Sequence, residues 1–315
     1  MRVPRRFRGV AALLAVIVIS LLGRAAAAPE NPAFVRNDEP AEPLVPSRIP
    51  VRRNDVYDLK VRLAELGFYS GPIDDVYDET AVSAVKAFQK SYWLTPDGVV
   101  EKTTWRALGH GVTRPFTEAV GEPPEGRIEI VVDTSTLTLT VLVDGNPWRE
   151  YPIAGGKWTD LTPVGEWKIV DKGYKVGGPF GSRWMALNVP WGNYGIHGTD
   201  RPWSIGSYAS AGCVRMFNED IEELYDLVDV GTSVKIKGYL PPLDWNRAFV
   251  YGTEGPEIVV LQEGLRQFGF DAGPCDGILG ERTDAMLDEM ASLFGFGRGR
   301  TAVRDLITVM GIRGR

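Results

Sequence analysis

The sequence predicts a multidomain chain: a β-rich sandwich or barrel with one main helix, flanked by small three-helix domains. Three observations predict it. Period-two alternation is concentrated between residues 125 and 240, helical apolar stripes occupy 55–110, and landmarks of that helical stretch return over 255–312. With 44% hydrophobic residues in a chain of 315, there is apolar material for several cores.

Taken in order, the chain opens on a basic n-region carrying Arg2, Arg5, Arg6 and Arg8, an apolar run over 10–23, and a small-residue tract over 25–28. That succession reads as a secretory signal over 1–28. Its fourteen apolar residues fall short of the roughly 20 needed to span a bilayer, which favours cleavage over retention as an anchor. The mature protein is therefore expected outside the cytoplasm, in the cell wall or periplasm. Residues 29–54 hold Pro29, Pro32, Pro40, Pro43, Pro46 and Pro50 with few aromatics, a composition that suits a stiff, extended spacer or a disordered leader.

In 55–110, Val56, Leu59, Leu63 and Leu66 recur at helical spacing and Gly67 ends that helix before the turn Ser70-Gly71-Pro72. Ala81, Val85, Phe88 and Tyr92 mark a second helix, and Trp105 with Leu108 a short third. Over 125–240 the period changes. Residues 127–133 read as a strand, and Leu137, Leu139, Val141 and Val143 alternate with threonines up to Asp144-Gly145, a strong hairpin signal. Further short β segments are expected near 151–154, 166–170, 184–189 and 234–237. One helix interrupts them, with Asn218 as N-cap, Glu219 and Asp220 in the first turn, and Ile221, Leu224, Tyr225 and Val228 on one face. In 255–312, Leu261, Leu265, Gly269, Phe270, Gly273, Pro274 and Asp276 align with Leu59, Leu63, Gly67, Phe68, Gly71, Pro72 and Asp74. The copy then decays, with Ala291 and Ser292 where Phe88 and Gln89 stand, so ligand binding and a packing role both stay open for it.

The chemistry-bearing residues are few. The chain has two histidines, His110 and His197, and two cysteines, Cys213 and Cys275, and only His197 and Cys213 share one segment. A free thiol, with a pKa near about 8.5, needs a neighbouring base or cation to attack a carbonyl quickly. His197 supplies such a base, and Gly198, Pro202, Gly206 and Gly212 between the two suit a loop that folds back. Gly212 would let a substrate approach backbone N–H groups that stabilise an oxyanion, and Arg215 would grip a substrate carboxylate. Cys275 lies in the repeat's turn and reads as structural, and His110 as exposed linker. A Cys213–Cys275 bridge would block the nucleophile, so both thiols are expected outside a disulfide. The separated histidines and cysteines offer no metal-ligand cluster, and nothing calls for a cofactor. A net charge of −6 gives no reason to expect nucleic acid as partner. Trp158, Trp184, Trp191 and Trp203 fit a substrate groove or ordinary packing equally.

The segments GIHGT and SAGCVRM, preceded by TPVGEW at 162–167 and GPFGSRWMALN at 178–188, resemble the L,D-transpeptidase catalytic domains of the YkuD type. LAELGFYSGPID, ETAVSAVKAFQ and PDGVVEKTTWRAL resemble the peptidoglycan-binding module of wall enzymes. The first resemblance implies Cys213 as nucleophile, His197 as general base and acid, and the Gly198 carbonyl as the group orienting that imidazole. It implies Ser210, Gly212 and Arg215 as oxyanion and substrate contacts. Many members carry a histidine at Ala211 and an asparagine at Met216, and those roles do not carry over. The resemblance thus implies a secreted enzyme forming 3-3 peptidoglycan cross-links through a Cys213 thioester with release of D-alanine, and acylation of Cys213 by carbapenems. A carboxypeptidase or D-amino-acid exchange enzyme would use the same thioester. A non-catalytic wall-binding scaffold is the alternative of another class. The sequence does not fix the oligomeric state.

Overall fold

In the first helical unit, β1 (Val51–Arg52) and β2 (Val76–Tyr77) pair antiparallel beside α1 (Asn54–Glu65), α2 (Glu79–Ser91) and α3 (Lys102–Leu108). The expected stripes form its core: Val56, Leu59, Leu63, Ala81, Val85, Phe88 and Leu108 are all buried. Asp78 caps α2, accepting from the Ala81 N–H at 2.9 Å. The computed structural model describes residues 42–112, 121, 125–174, 178–296 and 300–312. The expected signal and the spacer up to residue 41 lie outside the described residues. The spacer expected to reach residue 54 ends sooner than its composition suggested. Leu44 is buried and exchanges both backbone bonds with Val100, at 3.0 and 2.9 Å, and β1 belongs to the folded unit. One leucine and one strand among the prolines bury enough surface to dock the segment. Among the described residues no helix is long and apolar enough to cross a membrane.

The central unit is a curled sheet built from β3 (Ile128–Asp133), β4 (Thr138–Val143), β5 (Asn146–Pro152), β6 (Gly155–Gly156), β7 (Gly165–Tyr174), β8 (Arg183–Leu187), β9 (Tyr194–His197), β10 (Tyr208–Ser210), β11 (Val214–Arg215) and β12 (Ser233–Lys237). Eight of these form one sheet in the order β11-β9-β8-β7-β12-β3-β4-β5, while β10 and β6 pair parallel beside it. The Asp144-Gly145 hairpin forms as read: φ is 49° at Asp144 and 80° at Gly145, both positive as a two-residue type I′ turn requires. The sheet then closes on itself. Ala154, two residues past edge strand β5, donates to the Arg215 carbonyl at 2.9 Å and accepts from the Arg215 N–H at 3.0 Å, so the chain leaving one edge pairs with the strand at the other.

The helix α4 (Asn218–Leu227) packs Ile221, Leu224 and Tyr225 into the core of the sheet. Its N-cap is Phe217, not the expected Asn218. The third unit holds α5 (Pro256–Gln267), α6 (Glu281–Leu293) and α7 (Arg300–Val309) around its own apolar cluster. Its helix-to-turn link reproduces the α2–α3 link of the first unit, where the aligned landmarks had pointed to the α1–α2 link. Gln89 donates to Asp97 Oδ1 at 3.1 Å and accepts from the Gly98 N–H at 2.9 Å, and Gln262 does the same with Asp276 and Gly277 at 2.9 and 2.9 Å. Arg266 of α5 grips Glu166 of β7 through two bonds of 2.8 and 2.9 Å, and Val259 and Cys275 complete the core of the sheet. All described residues belong to one contact unit, 36–315.

Candidate active site

Strand alternation decides where the side chains of the candidate pair, His197 and Cys213, point. In the β11–β9 pair, Val214 lies opposite Ile196 and Arg215 opposite His197; in the β8–β9 pair, Met185 lies opposite Ile196 and Trp184 opposite His197. Met185, Ile196, Val214 and Met216 are all in the hydrophobic core. Period two therefore puts Trp184, His197, Arg215 and Cys213 on the other face. The fold-back expected of a glycine-rich loop is made instead by strand pairing, with β9 and β11 side by side and parallel.

His197 is held by one ring nitrogen and by two aromatic neighbours. Its Nδ1 lies 2.5 Å from the Gly198 carbonyl oxygen. A carbonyl only accepts, so Nδ1 carries the hydrogen and Nε2 is the acceptor of the neutral ring. Trp184 stacks on the imidazole at 5.4 Å and 24°, and Phe180 meets it edge-on at 5.1 Å. The Gly198 carbonyl is fixed in turn by Asn218, a residue whose role the sequence reading mistook for a helix cap. Asn218 Oδ1 accepts from the Ser182 and Thr199 N–H groups at 3.1 and 3.2 Å, and its Nδ2 donates to the Thr199 carbonyl at 3.0 Å. A Cβ on Gly198 would come within 2.3 Å of that Oδ1, so only glycine admits the clamp.

Cys213 follows a tight turn. The Gly212 N–H donates to Ser210 Oγ at 3.1 Å, and the Ser210 hydroxyl donates to the Cys213 carbonyl at 2.6 Å. Ser210 and Gly212 thus bond to each other and build the turn that leads into Cys213. Gly212 has φ of 107°, and a Cβ there would lie 2.6 Å from the Tyr194 ring, so the turn admits no other residue without strain. Cys213 and His197 are each 1% exposed, deeper than an open groove would place them. Neither cysteine is in a disulfide. Cys275, by contrast, sits in the hydrophobic core, where burial pushes its thiol up to about 12.

Arg215 is paired within the chain. It is 1% exposed, and its Nη1 donates to Asp58 Oδ2 of α1 at 2.9 Å, so the carboxylate it grips is the chain's own. Of the four tryptophans, Trp184 touches His197 and Trp158 is exposed against Tyr208 and Tyr239. Trp203 packs on Trp105 of the first unit and Trp191 on Trp167, which takes both out of a groove. His110 is exposed, as read. Among the described residues no three His, Cys, Asp or Glu side chains are grouped to hold a metal ion.

Comparison with known proteins follows this geometry. Residues 127–236 match the family profile described as "L,D-transpeptidase catalytic domain", and residues 52–108 the one described as "Putative peptidoglycan binding domain". The protein named "Putative L,D-transpeptidase YqjB" of Bacillus subtilis (strain 168) is 34% identical over 146 residues, which cover 41% of this chain and 80% of that one. The chain belongs to the L,D-transpeptidase family. "Putative L,D-transpeptidase YkuD" of the same strain is 44% identical to this L,D-transpeptidase family member over 107 residues, 34% of this chain and 64% of its own length. The L,D-transpeptidase (residues 123–326) of Xylanimonas cellulosilytica DSM 15894, a solved structure, is 26% identical, covering 63% of this chain and 100% of that one with a TM-score of 0.32.

Proposed function

We propose that this chain is a cysteine acyltransferase that forms 3-3 cross-links between peptidoglycan stem peptides. The observation that carries the reading is the His197 Nδ1 contact to the Gly198 carbonyl at 2.5 Å, which leaves Nε2 to take a proton on the face of the sheet that Cys213 shares. Cys213 Sγ attacks the carbonyl that links the stem's diamino acid to its terminal D-alanine, and its proton passes to His197 Nε2. The C–N bond breaks, the imidazolium returns the proton to the departing amine, and D-alanine leaves a thioester on Cys213. The amine of a second stem attacks that thioester, His197 takes the proton from the nitrogen, and the thiol is regenerated as the amide forms.

Membership of the transpeptidase family and the peptidoglycan-binding match over 52–108 support the substrate class. The signal read in the sequence supports an extracytoplasmic site of action. Binding to the wall through the first unit raises the effective concentration of stems around the sulfur without altering the chemistry. The test is incubation with defined disaccharide tetrapeptides, with products resolved by mass spectrometry. Cross-linked dimer with release of D-alanine is expected, and none from Cys213→Ala. Tripeptide alone would mean that water resolves the thioester, and unchanged substrate would leave only a wall-binding scaffold.

A further inference from the structure

The peptidoglycan-binding unit does more than tether the catalytic sheet. On α1, Asp55 and Asp58 lie off the apolar stripe of Val56, Leu59 and Leu63, yet they are 0% and 2% exposed. Two buried carboxylates need cations, and the segment carrying the candidate nucleophile supplies them. Arg215 Nη1 lies 2.9 Å and Arg201 Nη1 3.4 Å from the same Asp58 Oδ2, and Arg201 Nη2 lies 4.0 Å from Asp55. Arg53 Nε closes the set, donating to Asp55 Oδ1 at 3.0 Å.

Apolar packing seals this cluster. The Arg201 guanidinium lies 4.1 Å over the Trp105 ring of α3, Trp105 stacks on Trp203 at 6.2 Å and 17°, and Trp203 Nε1 donates to the Asp58 carbonyl at 3.4 Å. Lys157 adds a bond to the Asn54 carbonyl at 2.9 Å. The strand so anchored is short: β11 is Val214–Arg215, with Cys213 directly before it and Arg215 in register with His197.

We propose that Asp58 is a positioning residue of the active site. By holding Arg215 and Arg201 together it fixes β11, and with it Cys213, against His197, so the first unit is an integral part of the catalytic centre. The inference rests on the Cys213–His197 reading above. The opposite role, a carboxylate occupying the place of a substrate carboxylate until it is displaced, is disfavoured by burial. Displacement would strand a carboxylate that is 2% exposed and shared by two arginines.

The test uses the full chain and four variants. Asp58→Asn keeps the shape and removes the charge, and Asp58→Glu restores the charge. Arg62→Gln loosens the same interface away from Arg215, since the Arg62 guanidinium lies 5.8 Å over the Trp203 ring. In Asp58→Asn, kcat for stem turnover and the rate of carbapenem acylation are expected to fall about tenfold with KM within about twofold, as misplacement of a nucleophile predicts. Asp58→Glu should recover most of the loss, and Arg62→Gln should stay near wild type. Hydrogen exchange should quicken at amides 213–216 of Asp58→Asn and not in β3 or β4. Should Asp58→Asn fail to fold, the charge-balanced pair Asp58→Asn with Arg201→Gln carries the same comparison. An Asp58→Asn enzyme as fast as wild type or faster, a loss confined to KM, or an equal loss in Arg62→Gln would overturn the proposal. A wild type that takes no carbapenem would overturn the transpeptidase reading instead. The exchange measurement then decides the role of Asp58 alone: quickened exchange at 213–216 sustains it, and unchanged exchange ends it.

Discussion

Asn218 offers the sharpest test of how the imidazole is oriented. Replacing it with alanine removes the bonds to Ser182 N, Thr199 N and Thr199 O, at 3.1, 3.2 and 3.0 Å. Each is worth about 1 kcal/mol net, and because the site is half-buried, water recovers part of the sum, leaving a loss near 2 kcal/mol. The kinetic effect should be larger than that loss implies. Once the 198–199 loop is released, the Gly198 carbonyl no longer selects the Nδ1–H tautomer, and acylation of Cys213 by a carbapenem should slow about 10- to 100-fold. Asn218→Asp separates the two effects. It keeps both acceptor bonds and places an anion at the start of α4, while giving up the donor to Thr199. It should lose less stability than the alanine variant and acylate within about tenfold of wild type. Urea unfolding followed by tryptophan fluorescence gives the first quantity, and the mass shift of the adduct against time gives the second. If Asn218→Ala lost about 2 kcal/mol yet acylated at the wild-type rate, the carbonyl would have no orienting role and this reasoning would fail.

Two further outcomes follow from the seam with the third unit. The Arg266 hydrogen bonds hold the Glu166 carboxyl below its ordinary value of 4.5, so the pair's contribution is fully present above that pH and is lost as pH falls through the lowered value. Glu166→Gln should therefore cost about 1 kcal/mol at pH 7, discounted for partial exposure, and next to nothing in strong acid; urea midpoints across the pH range read both limits. Separately, a thiol pushed up to about 12 carries little thiolate at pH 8, so Cys275 should stay unalkylated by iodoacetamide until the protein is unfolded. Peptide mass mapping checks this, and ready labelling of native Cys275 would show that its burial has been misjudged.

Most of the regular structure was legible because it is local. Asp144-Gly145 dictates its own turn, and the stripe of Val56, Leu59 and Leu63 needs only its own helix to be read. Cys213 and His197 could be nominated as a candidate pair because so few alternatives exist in the chain. The partners of the site were not. Asp55 and Asp58 look like the solvated face of a helix, and they are buried only because Arg201 and Arg215, 143 and 157 residues beyond Asp58, come to meet them. Ser210 and Arg215 were read from motif position as substrate contacts; the bonds each makes in the structure run to Cys213 and Asp58, partners that no local pattern announces. The β9–β11 pairing escaped notice because β9 is four residues long with a glycine inside it and β11 only two, leaving too few alternations to register as a period.

The bond pair between Ala154 and Arg215 has a consequence for how the chain meets its neighbours. A sheet with a bare rim invites neighbouring chains to zip onto it, and the rim here would have been the strand that follows Cys213. Because the ribbon returns to stitch its own hem, that strand is engaged on both flanks, by Ala154 on one side and β9 on the other. The same stitch that discourages clumping leaves Cys213 little freedom to wander.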